Sequence, residues 1–158
     1  MYQIFADKLL DFTEHHPEII AEQYCKAIRT NTRTPSLHNL SEDRHLPAVV
    51  NCYKSLKNIY NSENLFEASI PCFSNYAKVM YKEGIPLCES IYCLILMRRH
   101  IWLSAEVQAL FINVFDMHQA VDSINRVILL FDYGIYITIQ HYEQMPDKTG
   151  AGYYVEIP

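Results

Sequence analysis

The sequence predicts an all-α protein, a single-domain helical bundle of about six helices. Apolar residues recur at three- and four-residue steps along most of the chain, which is the period of a helix. Only four glycines occur in 158 residues, and strands bounded by turn residues are hard to find. The length suits one domain with a substantial core.

The stretch over residues 116–142 is predicted to be the central helix. Asp116 followed by Gln119 is typical of a capping box at a helix start. An apolar stripe at helical spacing follows: Val121, Ile124, Ile128, Phe131, Ile135, Ile139 and Tyr142. More apolar residues on the other sides make the helix apolar nearly all round, as in the middle of a bundle. Pro146 ends it.

The remaining segments are also predicted to be helical. The first helix covers residues 2–13, and Pro17 starts a second helix that runs to about residue 30. A third helix covers 41–60, with acids after Ser41 that favour its N-terminus. A segment from Leu65 is interrupted at Pro71 and continues to Gly84, a suitable left-handed cap. A fifth helix covers 86–103, and residues 104–115 either extend it or form another helix.

Residues 1–145 are therefore expected to form one helical domain, followed by an irregular tail over 146–158. The net charge of −5 and the pI of about 5.8 argue against nucleic-acid binding, which needs a basic face. No apolar run reaches the roughly twenty residues of a membrane span, and the N-terminus has no apolar signal core. The five cysteines include no C-x-x-C, which is typical of buried thiols in a reducing compartment. A cytoplasmic protein is expected.

Arg98 and Asp132 carry opposite charges on two otherwise apolar helix faces. Because a buried charge is costly without a partner, one hypothesis is that they meet in the core as a structural pair. The alternative is that each side chain reaches solvent at a helix edge, which Arg does readily.

Cys93, Met97 and His100 share one face of the fifth helix. These residue types could ligate a haem or a soft metal ion. The alternative is a small thiol, a gap-filling methionine and a surface histidine, and the lack of a second ligand set favours it. No metal site and no cofactor are expected.

Other polar candidates favour structural roles. His15 and His16 are adjacent and do not face the same way on a helix. His118 and Asp122 lie one helical turn apart and could serve acid–base catalysis, but an exposed, ion-paired helix face is favoured. There is no Gly-rich phosphate loop and no nucleophile elbow. The twelve tyrosines and seven phenylalanines can fill a core, line an apolar pocket or form a dimer face, with the core as the default.

Several short motifs together resemble a known family. In order they are Thr34-Pro35 with Leu40-Ser41, Gly84-Ile85-Pro86-Leu87-x-Glu89, Arg98-Arg99-x-Ile101-Trp102, Asn125-Arg126, Phe131-Asp132 and Tyr142. Over residues 12–142 the chain resembles the N-terminal domain of RsbR and RsbRD-type proteins, the RsbT co-antagonists of bacterial stress signalling. Similar domains precede sensor histidine kinases.

The resemblance implies an all-helical, dimeric input or regulatory module without catalysis, related to a non-haem globin-like arrangement. It supplies no ligand-binding residues, and it gives Arg98, Trp102 and Asp132 weight as structural positions. The chain departs from the family in one respect, because a short tail follows Met145 where an output domain is expected. A signalling partner or an output domain would then be needed.

The favoured function is a non-catalytic, cytosolic sensor or regulatory module that forms a homodimer and changes the activity of a partner. It is expected to bind neither nucleic acid nor a membrane. The second reading is a haem- or small-ligand-binding globin-like protein that uses His100. A third, remote reading is a small enzyme that uses His118 with Asp122.

Overall fold

The computed structural model describes the backbone of residues 3–107 and 114–145, with the side chains of residues 8–104 and 124–145. This part of the chain folds into six α-helices and contains no strand. The helices are α1 (Gln3–His15), α2 (Pro17–Thr30), α3 (Glu42–Tyr60), α4 (Leu65–Lys82), α5 (Leu87–Val107) and α6 (Val114–Gln144), with a 3₁₀ turn at Pro35–Leu37 between α2 and α3. The predicted all-α helical bundle is confirmed. The predicted tail over 146–158 lies outside the described residues.

α4 corrects the prediction of a break at Pro71, because the helix runs unbroken from Leu65 to Lys82. Pro71 is exposed, so its ring lies on the solvent side and costs the helix one backbone hydrogen bond. The buried side chains of Ser69, Cys72 and Phe73 flank it and hold α4 in the core, where it packs against α3 and α6. Tertiary packing therefore outweighs the local penalty of the proline.

The ends of α4 are fixed by local hydrogen bonds. Asn64 Oδ1 accepts the backbone N–H of Glu67 and caps the N-terminus. At the C-terminus Gly84 has a φ of 73°, its N–H bonds the carbonyl of Tyr81, and the N–H of Ile85 bonds the carbonyl of Met80. This is a Schellman motif, and it confirms Gly84 as the left-handed cap.

α6 packs against α1, α3, α4 and α5, as expected of a central helix. Its most buried face includes Phe131 of the predicted stripe, together with residues that flank the stripe: Val127, Leu130, Gly134, Ile137 and Thr138. Its opposite face is exposed and includes Leu129, Asp132 and Tyr136, so α6 is central but not buried on all sides. α6 already includes Val114, so Asp116 lies inside the helix and is not its cap.

The helix order sets which residues can meet. α3 and α4 are antiparallel neighbours joined by the short connection over 61–64, and α2 packs against both α3 and α5. α5 and α6 are also antiparallel, since Ser90 contacts Tyr142 and Arg98 contacts Asp132. None of the helices in the described ranges is long and apolar enough to cross a bilayer.

Candidate functional site

Three tyrosines are fully buried around α5, and each hydroxyl has a hydrogen-bond partner. Tyr53 on α3 donates to the carbonyl of Met97 at 2.9 Å, and Tyr76 on α4 donates to the carbonyl of Ser90 at 2.7 Å. Both acceptors are main-chain carbonyls of α5. Burial raises the pKa of Tyr24, Tyr53 and Tyr76 well above the usual value, so all three stay protonated. The bonds fix the position of α5 against α3 and α4.

Tyr24 on α2 pairs with His45 on α3, with 2.8 Å between the hydroxyl oxygen and Nε2. His45 is 2% exposed, and its Nδ1 has no hydrogen-bond partner among the residues that the structure describes. Burial lowers the pKa of His45 to about 4, which keeps the imidazole neutral near pH 7. The sequence offered one signal for this site, since His45 lies one turn before the inward-facing Val49.

A small cavity adjoins His45. It measures about 10 Å³ and is lined by eight residues of α2, α3 and the segment between them: Cys25, Ile28, Arg29, Leu37, Leu40, Ser41, Glu42 and His45. Arg29 and Glu42 form an ion pair of 2.7 Å, and both are partly exposed. The volume matches a single water molecule, whereas small-molecule pockets measure roughly 300–1,000 Å³. This cavity has no room for a cofactor.

The proposed haem ligands occupy different environments. Cys93 and Met97 are fully buried, whereas His100 is half-buried and its ring lies 6.4 Å from that of Tyr24, edge to face. The Cys93 thiol lies beside the hydroxyls of Tyr24 and Tyr76, and burial raises its pKa to about 12. A haem at these positions would have to displace core side chains. Burial, aided by Arg99, lowers the pKa of His100.

Arg98 and Asp132 lie beside each other, with 3.6 Å between Nη1 and Oδ1. The pair is not buried, since the Asp132 side chain is 55% exposed and that of Arg98 25% exposed. The two residues were predicted to pair and to be buried, and the prediction of burial is wrong. The guanidinium reaches the edge of α5 and Asp132 faces solvent on α6, which avoids the desolvation of both charges. Trp102, one turn after Arg98, is partly buried and packs against the core.

Large apolar side chains are exposed on α5 and α6 near this ion pair. Ile95 is 37% exposed, Leu129 is 42% exposed and Tyr136 is 56% exposed. Ile95 is exposed although its chain neighbours Leu94 and Leu96 are buried. We refer to Ile95, Arg98, Leu129, Asp132 and Tyr136 as the α5–α6 face.

Glu89 joins the 3₁₀ turn to α5. Its carboxylate is buried and accepts hydrogen bonds from the backbone N–H of Ser36 at 3.0 Å and from the Ser36 hydroxyl at 2.8 Å. Thr34, also buried, donates to the carbonyl of Ile28 at 2.6 Å. These bonds hold the α2–α3 connection against the bundle.

The other polar candidates lie at the surface or outside the described side chains. His15 is exposed, accompanies Asp11 and Glu14 on α1, and bonds the carbonyl of Asp11. Lys57 of α3 forms ion pairs with both carboxylates, which offsets part of their negative charge. His16 is exposed before α2. The pairing predicted for His118 and Asp122 falls on side chains that are not described.

The sequence pattern indicates that Arg98 and Asp132 are neighbours, but it does not indicate the His45–Tyr24 pair or the tyrosine bonds to α5. Comparisons with protein-family models, with curated proteins and with solved structures give no match for this chain.

Proposed function

We propose that this chain is a non-catalytic regulatory module of bacterial signalling that forms a homodimer through the α5–α6 face. It changes the activity of a partner protein or of a joined output domain. The observation that carries the proposal is the exposure of Ile95, Leu129 and Tyr136 on adjacent helices. Contiguous exposed apolar surface is characteristic of interaction sites.

The antiparallel arrangement of α5 and α6 brings these side chains into one area. Leu129 and Tyr136 lie about one turn on either side of Asp132, and Ile95 lies one turn before Arg98. Arg98 contacts Asp132 across the two helices, and the Tyr136 ring packs edge to face against Phe66 of α4, with 6.0 Å between the ring centres.

The charges of this area favour a second copy of the chain as the occupant. Arg98, the exposed Arg99 and the exposed Asp132 place both signs on one surface. In a two-fold dimer the same surface faces itself, so a carboxylate of one copy can approach a guanidinium of the other. The apolar side chains then form the centre and the charges form the rim, which is the common anatomy of an interface.

The resemblance to RsbR-type input domains supports a regulatory role, since such domains act through an output domain or a partner. The burial of His45 and of the three core tyrosines supports a non-catalytic role, because a substrate has no direct access to them. The five free cysteines support a reducing, cytosolic compartment.

The test is size-exclusion chromatography with light scattering on the wild type and on Leu129→Glu and Tyr136→Glu. We expect the wild type at about twice the 18.5 kDa chain mass, and the two variants at the mass of one chain. A buried glutamate without a partner disfavours the interface. Ile19→Glu is the matched control, because Ile19 is 50% exposed on α2 and should leave the dimer intact.

A monomeric wild type would overturn the dimer, and so would dissociation by Ile19→Glu to the same extent. An absorbance spectrum on the same peak, before and after addition of haemin, tests the second reading. A Soret band that disappears in His100→Ala would replace the regulatory proposal with haem binding.

A further inference from the structure

Two cysteine thiols touch in the core between α3 and α4. Cys52 and Cys72 lie at equivalent distances from the connection between these antiparallel helices, and their Sγ atoms are 3.0 Å apart. Cys52 is 1% exposed and Cys72 is 4% exposed. Neither helical periodicity nor the spacing of the cysteines in the sequence identifies this pair.

The hydrogen bonds of the pair orient the two sulfur atoms. The Cys72 thiol donates to Cys52 Sγ, and the Cys52 thiol donates to the main-chain carbonyl of Cys72 at 3.9 Å. The sulfur atoms of a disulfide are roughly 2.0 Å apart, so each needs to move by about half an ångström. Cys52 lies in the middle of α3, and Cys72 lies in the middle of α4 directly after Pro71, where one backbone hydrogen bond of the helix is missing.

We propose that Cys52 and Cys72 form an oxidation site at which a hydroperoxide converts the two thiols into a disulfide that links α3 to α4. One thiol sulfur first attacks a peroxide oxygen, the O–O bond breaks, and a sulfenic acid and a water (an alcohol for an organic peroxide) result. The second sulfur then displaces the sulfenic hydroxyl, which leaves as a second water. The two sulfurs lose two electrons, and the peroxide gains them.

Burial makes this reaction slow and selective. The hydrogen bond between the two thiols and burial raise the pKa of Cys52 well above its usual value, so the nucleophilic thiolate is scarce. The peroxide reaches the pair when α3 and α4 open locally. Cys88 is exposed on α5 and reacts first, but no sulfur partner is described beside it. The disulfide of Cys52 and Cys72 is therefore the later and more stable product.

The cross-link also changes the stability of the fold. It joins positions separated by 20 residues and removes conformational freedom from the unfolded chain. The oxidised protein should therefore melt at a temperature higher by about 5 °C or more, provided that the helices accept the shorter sulfur distance.

The test uses the full chain with Cys88→Ser, which prevents cross-linking between molecules at the exposed thiol. The protein is treated with hydrogen peroxide, quenched with catalase, unfolded, alkylated with iodoacetamide and analysed by peptide mass spectrometry. Of the four remaining thiols we expect two to resist alkylation, with the loss of two hydrogen atoms and a linked peptide pair containing Cys52 and Cys72. Dithiothreitol should restore all four thiols and the lower melting temperature.

Cys25→Ser and Cys93→Ser, each in the same background, are matched controls because both residues are buried and outside the pair. They should keep the cross-link, whereas Cys52→Ser and Cys72→Ser should lose it. The peptide map of the Cys88→Ser protein decides the matter even if a serine variant fails to fold. Full alkylation after peroxide, sulfinic or sulfonic acids in place of a link, or a link between other cysteines would each overturn the proposal.

Discussion

At the scale of single residues, the most informative side chain is His45. Its imidazole is buried, bonds the Tyr24 hydroxyl through Nε2, and leaves Nδ1 without a partner among the described residues. A protonated imidazole at this position would be a buried cation, which the loss of hydration on burial disfavours. The neutral form is therefore part of the folded state, and folding depends on pH through this group.

His45 predicts a loss of stability in mild acid. The pKa of His45 is about 4 in the folded protein, below the usual value of 6.5, so the unfolded chain binds the proton more readily. The contribution of neutral His45 to the free energy of unfolding is fully present above about pH 6.5 and disappears as the pH falls to about 4. It amounts to roughly 3 kcal/mol. Urea unfolding of the wild type and of His45→Gln between pH 7 and pH 4 measures it.

The Gln variant can still accept a hydrogen bond from Tyr24 but does not titrate, so its unfolding free energy should fall less steeply with pH. Burial also lowers the pKa of His100 and His141, and both remain in the variant. The difference between the two proteins therefore isolates His45. Equal pH slopes would mean that His45 does not control acid stability.

Gly134 is a second residue whose identity the packing dictates. A Cβ at this position would lie 2.7 Å from Cδ1 and Cε1 of the Phe73 ring. Phe73 is fully buried and its ring packs edge to face against Phe131, so it has little freedom to move. The glycine permits the close approach of α4 and α6.

Gly134→Ala should therefore destabilise the protein by about 1–2 kcal/mol, even though alanine favours a helix interior by roughly 1 kcal/mol over glycine. Urea unfolding gives the value. Adding Phe73→Leu makes room for the methyl group, so the cost of Gly134→Ala should shrink in that background. If Gly134→Ala alone is more stable than the wild type, the contact between the added methyl group and Phe73 does not destabilise the fold.

At the scale of helices, Arg126 on the side of α6 bonds the C-terminal end of α3. Its Nε donates to the carbonyl of Tyr60 at 2.9 Å and its Nη2 donates to the carbonyl of Ser62 at 3.1 Å. The guanidinium also lies over the Tyr60 ring, 5.2 Å from its centre. A side chain of α6 thus satisfies the C-terminus of α3, where cations are favoured.

Arg126→Met should lower the free energy of unfolding by about 2 kcal/mol, because it removes two charge-assisted hydrogen bonds and keeps most of the apolar stem. Arg126→Lys should recover only part of the loss, since one ammonium cannot reproduce the planar fork. Lys26→Met, at an exposed position of α2 outside the α5–α6 face, is the control and should change stability by less than about 0.5 kcal/mol. An equal loss of unfolding free energy in both Met variants would argue against Arg126 as a cap of α3.

Helix position was largely predictable from the sequence, because periodicity and Gly or Pro residues act locally. Gly84 ends α4 through a left-handed conformation that glycine adopts readily. The identity of this one residue is enough to predict the end of the helix. Pro71 shows the limit, since a local rule predicted a break that packing on α3 and α6 overrides.

Contacts between helices were much less predictable. Periodicity indicates which residues face inward, but the Tyr24–His45 and Cys52–Cys72 pairs depend on the register of neighbouring helices. Arg98 and Asp132 illustrate the same limit, because the sequence indicated a pair but not its exposure. Register emerges only from packing the whole core.

At the scale of the whole molecule, the polar core and the proposed interface lie on different sides of α5. Tyr53 and Tyr76 bond α5 from α3 and α4, and Tyr24 pairs with His45 between α2 and α3. The α5–α6 face carries Ile95 and the exposed side of α6. A change in core packing can therefore reach the proposed interface through α5. It changes binding when two packings of the helices differ in their affinity for a partner.

The two tyrosine bonds to α5 have a mechanical consequence. A slide of α5 along its axis by one residue, about 1.5 Å, would carry the carbonyls of Ser90 and Met97 away from Tyr76 and Tyr53. Each buried hydroxyl left unpaired costs roughly 1–3 kcal/mol. Axial sliding of α5 is thus strongly resisted, and tilting α5 together with α3 and α4 as one rigid body is the cheaper motion.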